Sequence, residues 1–347
     1  MATDAASSSL ICELTGVLGD PQFHRCRLLL QELSVLHPHF LPKLHGLVER
    51  DFLDHVRSNA TTMDAAHPSD KTRARTRLQH RTDPFVLVNQ RQVLASEDEL
   101  IAFAIHETRL SRGEILVAAA FGANALHDSD DQPAHTAVDA EESLQERAET
   151  SAHEAAFRYR HMSGNPFAFL LFELDGVPLP RVEIELIHGV CPKTCANFLA
   201  FCQHAVPDIS DDVRMLGYRG TLVHRIVRGG WIQCGDVTLR EEDGDTPTSR
   251  GDGKPRSLYG STFPDESFSI AHDDMGIVSM ANDGVPHTNA SQFFITLAQL
   301  PSLDRKKVAF GRVVAGLATI QKIASVETVN ERPLLACTVV DAGKIVD

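Results

Sequence analysis

The sequence contains no long apolar run and no excess of positive charge. Its longest mostly apolar stretch, residues 115–126, has about twelve residues, whereas a helix that crosses a bilayer needs roughly twenty. Lysine and arginine number 33 against 47 aspartate and glutamate residues, which gives a formal net charge of −14. A nucleic-acid-binding surface needs clustered Lys and Arg. The sequence therefore predicts neither a membrane span nor a nucleic-acid partner.

Secretory and metal-binding signals are also missing. The opening residues, MATDAASSSLICELTG, lack a basic segment followed by a long apolar one. The seven cysteines cannot all pair within one chain, which favours reduced thiols in a cytoplasmic protein. Cys191 and Cys195 would share one helix face, but two thiols do not make a zinc site. We expect them to be buried apolar groups and predict no cofactor and no metal.

The length of 347 residues favours about two domains. The segment 128–149 has eight acidic residues, one arginine and little apolar periodicity, which is typical of a solvated linker. We therefore predict a first domain at 1–127, an acidic linker with a connecting helix at 128–162, and a second domain at 163–347.

The first domain shows the succession strand, helix, strand, helix, hairpin, helix. The second helix is expected at residues 51–60, and the last one is expected to begin with a capping box formed by Ser96 and Glu99. This order predicts an α/β thioredoxin-like domain. A redox centre would need Cys-x-x-Cys after the first strand, where the sequence instead has Gly19-Asp20-Pro21-Gln22-Phe23. Thiol–disulfide chemistry is therefore not expected, and a scaffold or docking role is favoured.

The second domain is rich in short strands. A hairpin is predicted at 167–187, one helix at 191–205 and another at 316–325, with six more strands between residue 221 and the end of the chain. Many short strands with two helices predict a closed antiparallel barrel capped at its ends.

Seven linked motifs in this half resemble the cyclophilins, over roughly residues 163–347. They are CPKTCANF, GYRGTLVHRIVRGGWIQCGD, YGSTFPDESF, GIVSMAN, TNASQFFIT, LDRKKVAFGRV and NERP. With a thioredoxin-like front half that lacks the redox cysteines, the chain is most similar to the members of that family associated with motile cilia. The resemblance implies an eight-stranded barrel, peptidyl-prolyl cis-trans isomerase activity, and a proline-containing protein or peptide as partner.

The resemblance assigns the catalytic roles to Arg225 and Gln233. Amide resonance gives the X-Pro bond a rotation barrier of roughly 18–20 kcal/mol. A guanidinium that donates to the imide nitrogen as this atom pyramidalises would stabilise the twisted state over both planar forms. Gln233 would orient Arg225 or accept a hydrogen bond from the substrate backbone. No general acid or base is needed.

The substrate would be held by an apolar floor for the proline ring and by polar groups for the preceding residue. Phe294, Met280 and Leu303 are expected to form the floor, and Asn282 is expected to hold the preceding residue. The resemblance implies substrate contacts for Trp231, Met280, Ala281, Asn282, Gln292, Phe294, Leu303 and Lys307.

The chain departs from the family pattern at several of these places. Gly230 stands where the family has a phenylalanine, Trp231 where it has a methionine, Ser302 where a tryptophan is common and Lys307 where it has a histidine. An aromatic wall of the proline pocket is therefore missing unless Trp231 replaces it.

Two functions remain open at this point. One is a cyclophilin-type isomerase with reduced activity. The other is a weak or inactive cyclophilin-like structural module of the ciliary or flagellar axoneme, with microtubule proteins as partners. The retained residues Arg225, Gln233, Asn282 and Phe294 favour the enzyme. The changes at Gly230, Ser302 and Lys307 favour the module.

Overall fold

The computed structural model describes residues 9–48, 51–52, 84–89, 92–126, 136–208, 211–238 and 253–346 of the chain, with backbone only at 211–214. The chain divides into two compact units, Met1–Tyr159 and Arg160–Asp347. Each unit is described by itself.

The first unit combines one four-stranded sheet with helices. Its strands are β1 (Leu10–Val17), β2 (Phe40–Leu47), β3 (Phe85–Val88) and β4 (Gln92–Leu94). Its helices are α1 (Pro21–Leu36), α2 (Glu97–Thr108), α3 (Arg112–Phe121), a 3-10 turn (Ala123–Leu126) and α4 (Ala137–Ser163), which continues into the second unit.

The strand order in this sheet is β2-β1-β3-β4. β1 runs parallel to β2 and antiparallel to β3, and β3 and β4 form the predicted hairpin. Two adjacent parallel strands need a crossover, which α1 supplies. The predicted helix at 51–60 lies outside the described residues beyond Phe52. The assignment to the thioredoxin-like class stays a prediction.

Side-chain caps define where three of these helices begin. Asp20 accepts from the Gln22 amide at the start of α1, in the place where a redox centre would carry its first cysteine. Ser96 accepts from the Glu99 amide as predicted, although the Glu99 carboxylate accepts from Ala95 instead of Ser96. A reciprocal capping box opens α3 instead, a helix that the sequence analysis did not assign.

The prediction of a solvated linker at 128–149 is wrong for the part that the structure describes, because α4 begins at Ala137. Although this segment is rich in acidic residues, it also has an apolar residue at every fourth position from Ala140 to Ala148. Ala140, Leu144 and Ala148 are fully buried. A spacing of four places side chains on one helix face, so the acidic residues can remain on the other faces of the same helix.

The second unit contains one large antiparallel sheet and two hairpins. The strands of the large sheet are β5 (Phe167–Leu174), β6 (Val177–Pro178), β7 (Val182–Leu186), β10 (Arg225–Val227), β11 (Trp231–Cys234), β12 (Ile277–Met280), β13 (Phe293–Thr296), β14 (Ala309–Ala315) and β17 (Cys337–Ile345). The hairpins pair β8 (Val206–Asp208) with β9 (Asp211–Leu216) and β15 (Thr328–Val329) with β16 (Arg332–Pro333). Helices α5 (Pro192–Cys202) and α6 (Leu317–Ala324) and a 3-10 turn (Pro301–Leu303) complete the described elements.

The large sheet is a curled, open half-barrel and not the closed barrel that the sequence predicts. Its ladder runs β10-β11-β13-β12-β14-β7-β5-β17, with β6 beside β5. The first and last strands are not paired with each other in this ladder. They are linked through the segment before β10, by a single bridge between Leu222 and Thr338 and by a hydrogen bond from Val223 N–H to Cys337 C=O. The outer edge of β10 is bonded to the turn between β15 and β16 instead, where Ile226 N–H donates to the Glu331 carbonyl at 2.7 Å.

Helix α5 packs an aromatic cluster against the inner face of this sheet. The Phe198 ring lies 5.0 Å from Phe293 and 5.2 Å from Phe310. Asn197 donates to the Ala290 carbonyl at 3.0 Å, which holds the chain just before β13 in place. Glu266 accepts from the first amides of α5 and so supplies a cap from a distant part of the sequence.

Arg25 is a buried ionic centre of the first unit and allows a stability test. It bonds Glu97 through two nitrogens at 2.7 Å and Glu141 of α4 at 2.5 Å. Arg25→Ala should lower the free energy of unfolding by about 2–4 kcal/mol, because Glu97 and Glu141 lose their cation in a partly buried place. Arg112→Ala is the control, since its pair with Asp98 is exposed, and should cost less than about 1 kcal/mol. Urea unfolding followed by circular dichroism measures both, and equal losses would contradict the assigned difference.

Candidate functional site

The pairing of three neighbouring strands places the predicted catalytic groups side by side. Arg225 on β10 pairs with Gln233 on β11, and Gln233 pairs in turn with Phe294 on β13. Residues directly opposite each other in an antiparallel ladder share one face of the sheet. Trp231, two positions before Gln233, lies on this same face. The register therefore explains why an arginine and a glutamine occur among so many apolar neighbours.

The Arg225 guanidinium lies between a carboxylate and an indole ring. Its Nε donates to Glu331 Oε2 at 2.7 Å, and its Cζ lies 5.4 Å from the centre of the Trp231 ring. The Arg225 side chain is 42% exposed, so part of the guanidinium remains open to a ligand. The sequence analysis quoted the NERP motif, but it did not assign a role to Glu331.

Gln233 is held by two other side chains. Its Oε1 accepts from the Trp231 indole Nε1 at 3.4 Å, and its Nε2 donates to Gln292 Oε1 at 2.9 Å. Both ends of the amide are therefore engaged by residues other than Arg225.

The predicted apolar floor is covered. Phe294 is only 2% exposed. Met280 pairs with Phe293 and therefore lies on the opposite face of the sheet from Phe294, so the structure does not bring it to the predicted floor. The centre of the Trp231 ring lies 5.5 Å from the centre of the Phe294 ring. The His272 ring stacks on the Phe294 ring, with 5.9 Å between the two ring centres. Leu303 is half-buried in the 3-10 turn. A proline ring can therefore reach Phe294 only when the indole moves away.

A buried histidine supports Phe294, and the sequence analysis missed it. His272 is fully buried, with Nδ1 at 3.0 Å from Asp304 Oδ1 and Nε2 at 3.0 Å from Ser279 Oγ. Hydrogen bonds from His272 lower the pKa of the Asp304 carboxyl, the backbone amide contributing most. Through His272, Asp304 of the segment after Leu303 is therefore connected to the Phe294 ring. No spacing in the sequence marks His272 as part of the site, because its partners are distant along the chain.

Lys307 occupies polar groups that were predicted to hold the substrate backbone. Its ammonium donates to the Asn282 carbonyl oxygen at 3.0 Å and also contacts Asn282 Oδ1. Ala281 donates its N–H to the Gln292 carbonyl at 3.0 Å, which fixes this segment to the start of β13. Burial lowers the pKa of Lys307, and nearby Asp283 partly opposes that shift.

At two other departures from the family pattern, positions 230 and 302, no aromatic side chain contributes to the site. Gly230 carries no side chain, and a Cβ added there would lie 2.9 Å from Val227 Cγ1. Ser302 is exposed in the 3-10 turn. The contacts of Trp231 with Phe294 and Arg225 show that the indole supplies the aromatic surface here.

A cleft of about 370 Å³ lies on the polar side of this arrangement. Five of the predicted site residues line it: Arg225, Gln233, Ala281, Asn282 and Gln292. Trp231, Met280, Phe294, Leu303 and Lys307 are not part of its lining. The cleft therefore collects five of the ten predicted residues, and Trp231 and Phe294 lie on the same face of the sheet as Gln233. Lys307 joins this group through Asn282, whereas Met280 lies on the opposite face.

The described residues offer no second kind of reactive centre near this site. Cys191 and Cys195 are fully buried, as expected, and burial raises the pKa of the Cys191 thiol to about 12. A buried thiol with a raised pKa is a poor nucleophile and a poor metal ligand. Across the part of the chain that the structure covers, no cluster of three or more His, Cys, Asp or Glu side chains is placed to hold a metal ion. Over the same residues, no helix combines the length and apolar character needed to cross a membrane.

Comparison with known proteins gives relatives for about half of the chain. A protein of Homo sapiens described as a probable inactive peptidyl-prolyl cis-trans isomerase-like 6 is 41% identical over 177 residues, which is 51% of this chain and 53% of that protein. Its Mus musculus counterpart is 41% identical over 178 residues, again 51% of this chain and 53% of that protein. Peptidyl-prolyl cis-trans isomerase 11 of Caenorhabditis elegans is 39% identical over 183 residues, or 52% of this chain and 92% of that protein.

The chain thus spans about half the length of the first two of these relatives. The family model for cyclophilin type peptidyl-prolyl cis-trans isomerases matches residues 169–344. This segment contains β10, β11 and β13, the cleft and every site residue described above. The chain belongs to the family of cyclophilin-type peptidyl-prolyl cis-trans isomerases.

Proposed function

We propose that this protein is a peptidyl-prolyl cis-trans isomerase that acts on X-Pro bonds in protein chains, with a rate limited by its own site residues. The observation that carries this proposal is the cross-strand row Arg225, Gln233 and Phe294, with Arg225 opening onto the polar cleft. A cation, an amide and an aromatic ring in one row are what a twisted prolyl amide requires. The cleft provides room for the adjoining peptide.

The chemistry needs one well-placed donor. The Nε of Arg225 is occupied by Glu331, which leaves the two Nη groups to donate to the imide nitrogen as its lone pair localises. This hydrogen bond is stronger in the twisted state than in either planar isomer, so it lowers the barrier. A guanidinium stays protonated at all relevant pH values. No bond is broken and no proton is transferred.

Two contacts support a reduced rate. Trp231 covers the Phe294 ring, and Lys307 occupies the Asn282 carbonyl. The Trp231 indole must move away from Phe294, and the Lys307 ammonium must leave or share the Asn282 carbonyl, before a peptide can bind in the way that the family resemblance implies. Displacement costs binding free energy, and so the turnover of a dilute peptide should be slow.

These same contacts favour a second candidate function, a peptide-binding module without significant turnover. In that case the polar cleft would bind a fixed partner while the floor stayed closed. The close relatives of Homo sapiens and Mus musculus carry the words "probable inactive" in their descriptions. A setting in the ciliary or flagellar axoneme, with microtubule proteins as partners, is part of this second proposal and rests on the sequence resemblance alone.

For the first unit we propose a thioredoxin-like scaffold without redox activity. Asp20 caps α1 at the position of a redox cysteine. Cys26, further along α1, is 3% exposed, and burial raises its pKa. Such a thiol has almost no thiolate form at neutral pH.

Arg225→Ala should remove the catalysed rate. Loss of a single transition-state donor costs about 100-fold in kcat for enzymes of this electrostatic kind. Exchange spectroscopy by NMR on a short X-Pro peptide measures the rate directly and also detects binding. A wild-type rate equal to that of Arg225→Ala, with the peptide still bound by both, would favour the binding module.

Trp231→Met should increase the isomerisation rate about 3–10-fold. The flexible thioether can move away from Phe294 at less cost than the indole, so that the proline ring gains about 1 kcal/mol of apolar contact. The same exchange measurement, with the thermal midpoint as a control for folding, tests this. A decrease in rate without loss of stability would mean that the indole itself forms the proline pocket.

Lys307→Met should tighten peptide binding by about 10-fold, equivalent to about 1.4 kcal/mol, because the ammonium no longer occupies Asn282 while the aliphatic stem is retained. The wild type should bind more tightly as the pH rises through the lowered pKa of Lys307, since the amine loses its charge below the ordinary lysine range. The variant should show no such change. Calorimetric titration of an X-Pro peptide across the alkaline range tests both statements, and parallel pH profiles would contradict them.

A further inference from the structure

The Arg225 side chain is oriented by a residue outside the predicted site. Its Nε donates to Glu331 at 2.7 Å while its other face lies over Trp231. An arginine without such a partner would sample many rotamers, and a donor that is not fixed contributes little to a transition state. The Glu331 contact therefore limits where the two Nη groups can point.

Gln233 does not perform this role in the structure. Its carbonyl oxygen accepts from Trp231 and its amide nitrogen donates to Gln292. The Gln233 oxygen has a second lone pair, but among the described hydrogen bonds the Arg225 guanidinium donates to Glu331 and not to Gln233. In the structure, the group that contacts the Arg225 guanidinium is therefore the Glu331 carboxylate of the β15–β16 hairpin, and not the Gln233 amide as expected.

The backbone of Glu331 adds an independent observation. Asn330 and Glu331 form the two-residue turn between β15 and β16, with φ values of 50° and 65°. Hairpin turns with two positive φ values favour glycine at the second position, and a glutamate there is strained. Strained residues cluster at functional sites. The turn is also tied to the site, since Ile226 N–H donates to the Glu331 carbonyl at 2.7 Å.

We propose that Glu331 is the positioning residue of Arg225, holding its Nε so that both Nη groups face the prolyl amide. This role rests on the proposed isomerase function. It deepens that function by assigning the orientation of the catalytic group to a side chain that no sequence motif had marked for it.

Glu331→Gly separates this role from a structural one. Glycine suits the positive φ, so the thermal midpoint should stay the same or rise. The kcat for an X-Pro peptide should nevertheless fall about 10-fold, with little change in KM, because the lost contact acts on the transition state. Glu331→Gln keeps an oxygen acceptor for Nε and should retain at least a third of the rate. Glu327→Gln is the matched control, since Glu327 is exposed just before the same hairpin, and should behave as wild type.

A second measurement detects the hydrogen bond between Arg225 and Glu331 directly. The Nε–H signal of Arg225 in NMR should be protected from solvent exchange in the wild type and in Glu327→Gln, and should lose that protection in Glu331→Gly. An active wild type with an equally active Glu331→Gly variant, or a signal that stays protected in that variant, would overturn the positioning role alone. A wild type without catalysed exchange would overturn the proposed function and this role together.

Discussion

The register of β10 against β11, and of β11 against β13, is the constraint on which the site depends. It places Arg225 opposite Gln233 and Gln233 opposite Phe294. Side chains alternate between the two faces of a sheet, so a slip of one residue in either ladder would move the cation to the other face. The aromatic cluster around Phe198 packs against Phe293 on one face of β13, and His272 stacks on Phe294 on the other face, so both faces of this strand are held in place.

Around that row, the chain has charged and aromatic residues that compete with a ligand. Trp231 contacts Arg225, Gln233 and Phe294 at the same time. Lys307 covers the Asn282 carbonyl. Each contact stabilises the ligand-free site and must weaken when a peptide binds, since only differences between the free and bound states affect affinity. If the proposed isomerase function holds, its rate is set less by the presence of Arg225 than by the cost of displacing the neighbours of Arg225.

Much of the fold could be predicted from local patterns. The β3–β4 hairpin, most strands of the large sheet and the capped helices α1 and α2 follow from alternation, turn residues and side chains that act within four positions. The β8–β9 and β15–β16 hairpins were not assigned from the sequence. The failures have a common cause. The burial of Ala140 and Leu144 in an acidic helix, and the single bridge between Leu222 and Thr338 in place of a closed barrel, depend on partners far away along the chain. Composition carries no information on such partners.

The sequence by itself determined which groups are available: one guanidinium, one amide and a set of apolar residues in linked motifs, together with the changes at Gly230, Trp231, Ser302 and Lys307. Only the tertiary structure decided how they are used. It placed Glu331 on Arg225, Trp231 over Phe294 and Lys307 on Asn282. These contacts join residues separated by 25 to 106 positions. The reason is physical, because the geometry of a hydrogen bond or a ring contact is set by the packing of whole strands and not by the spacing of residues along them.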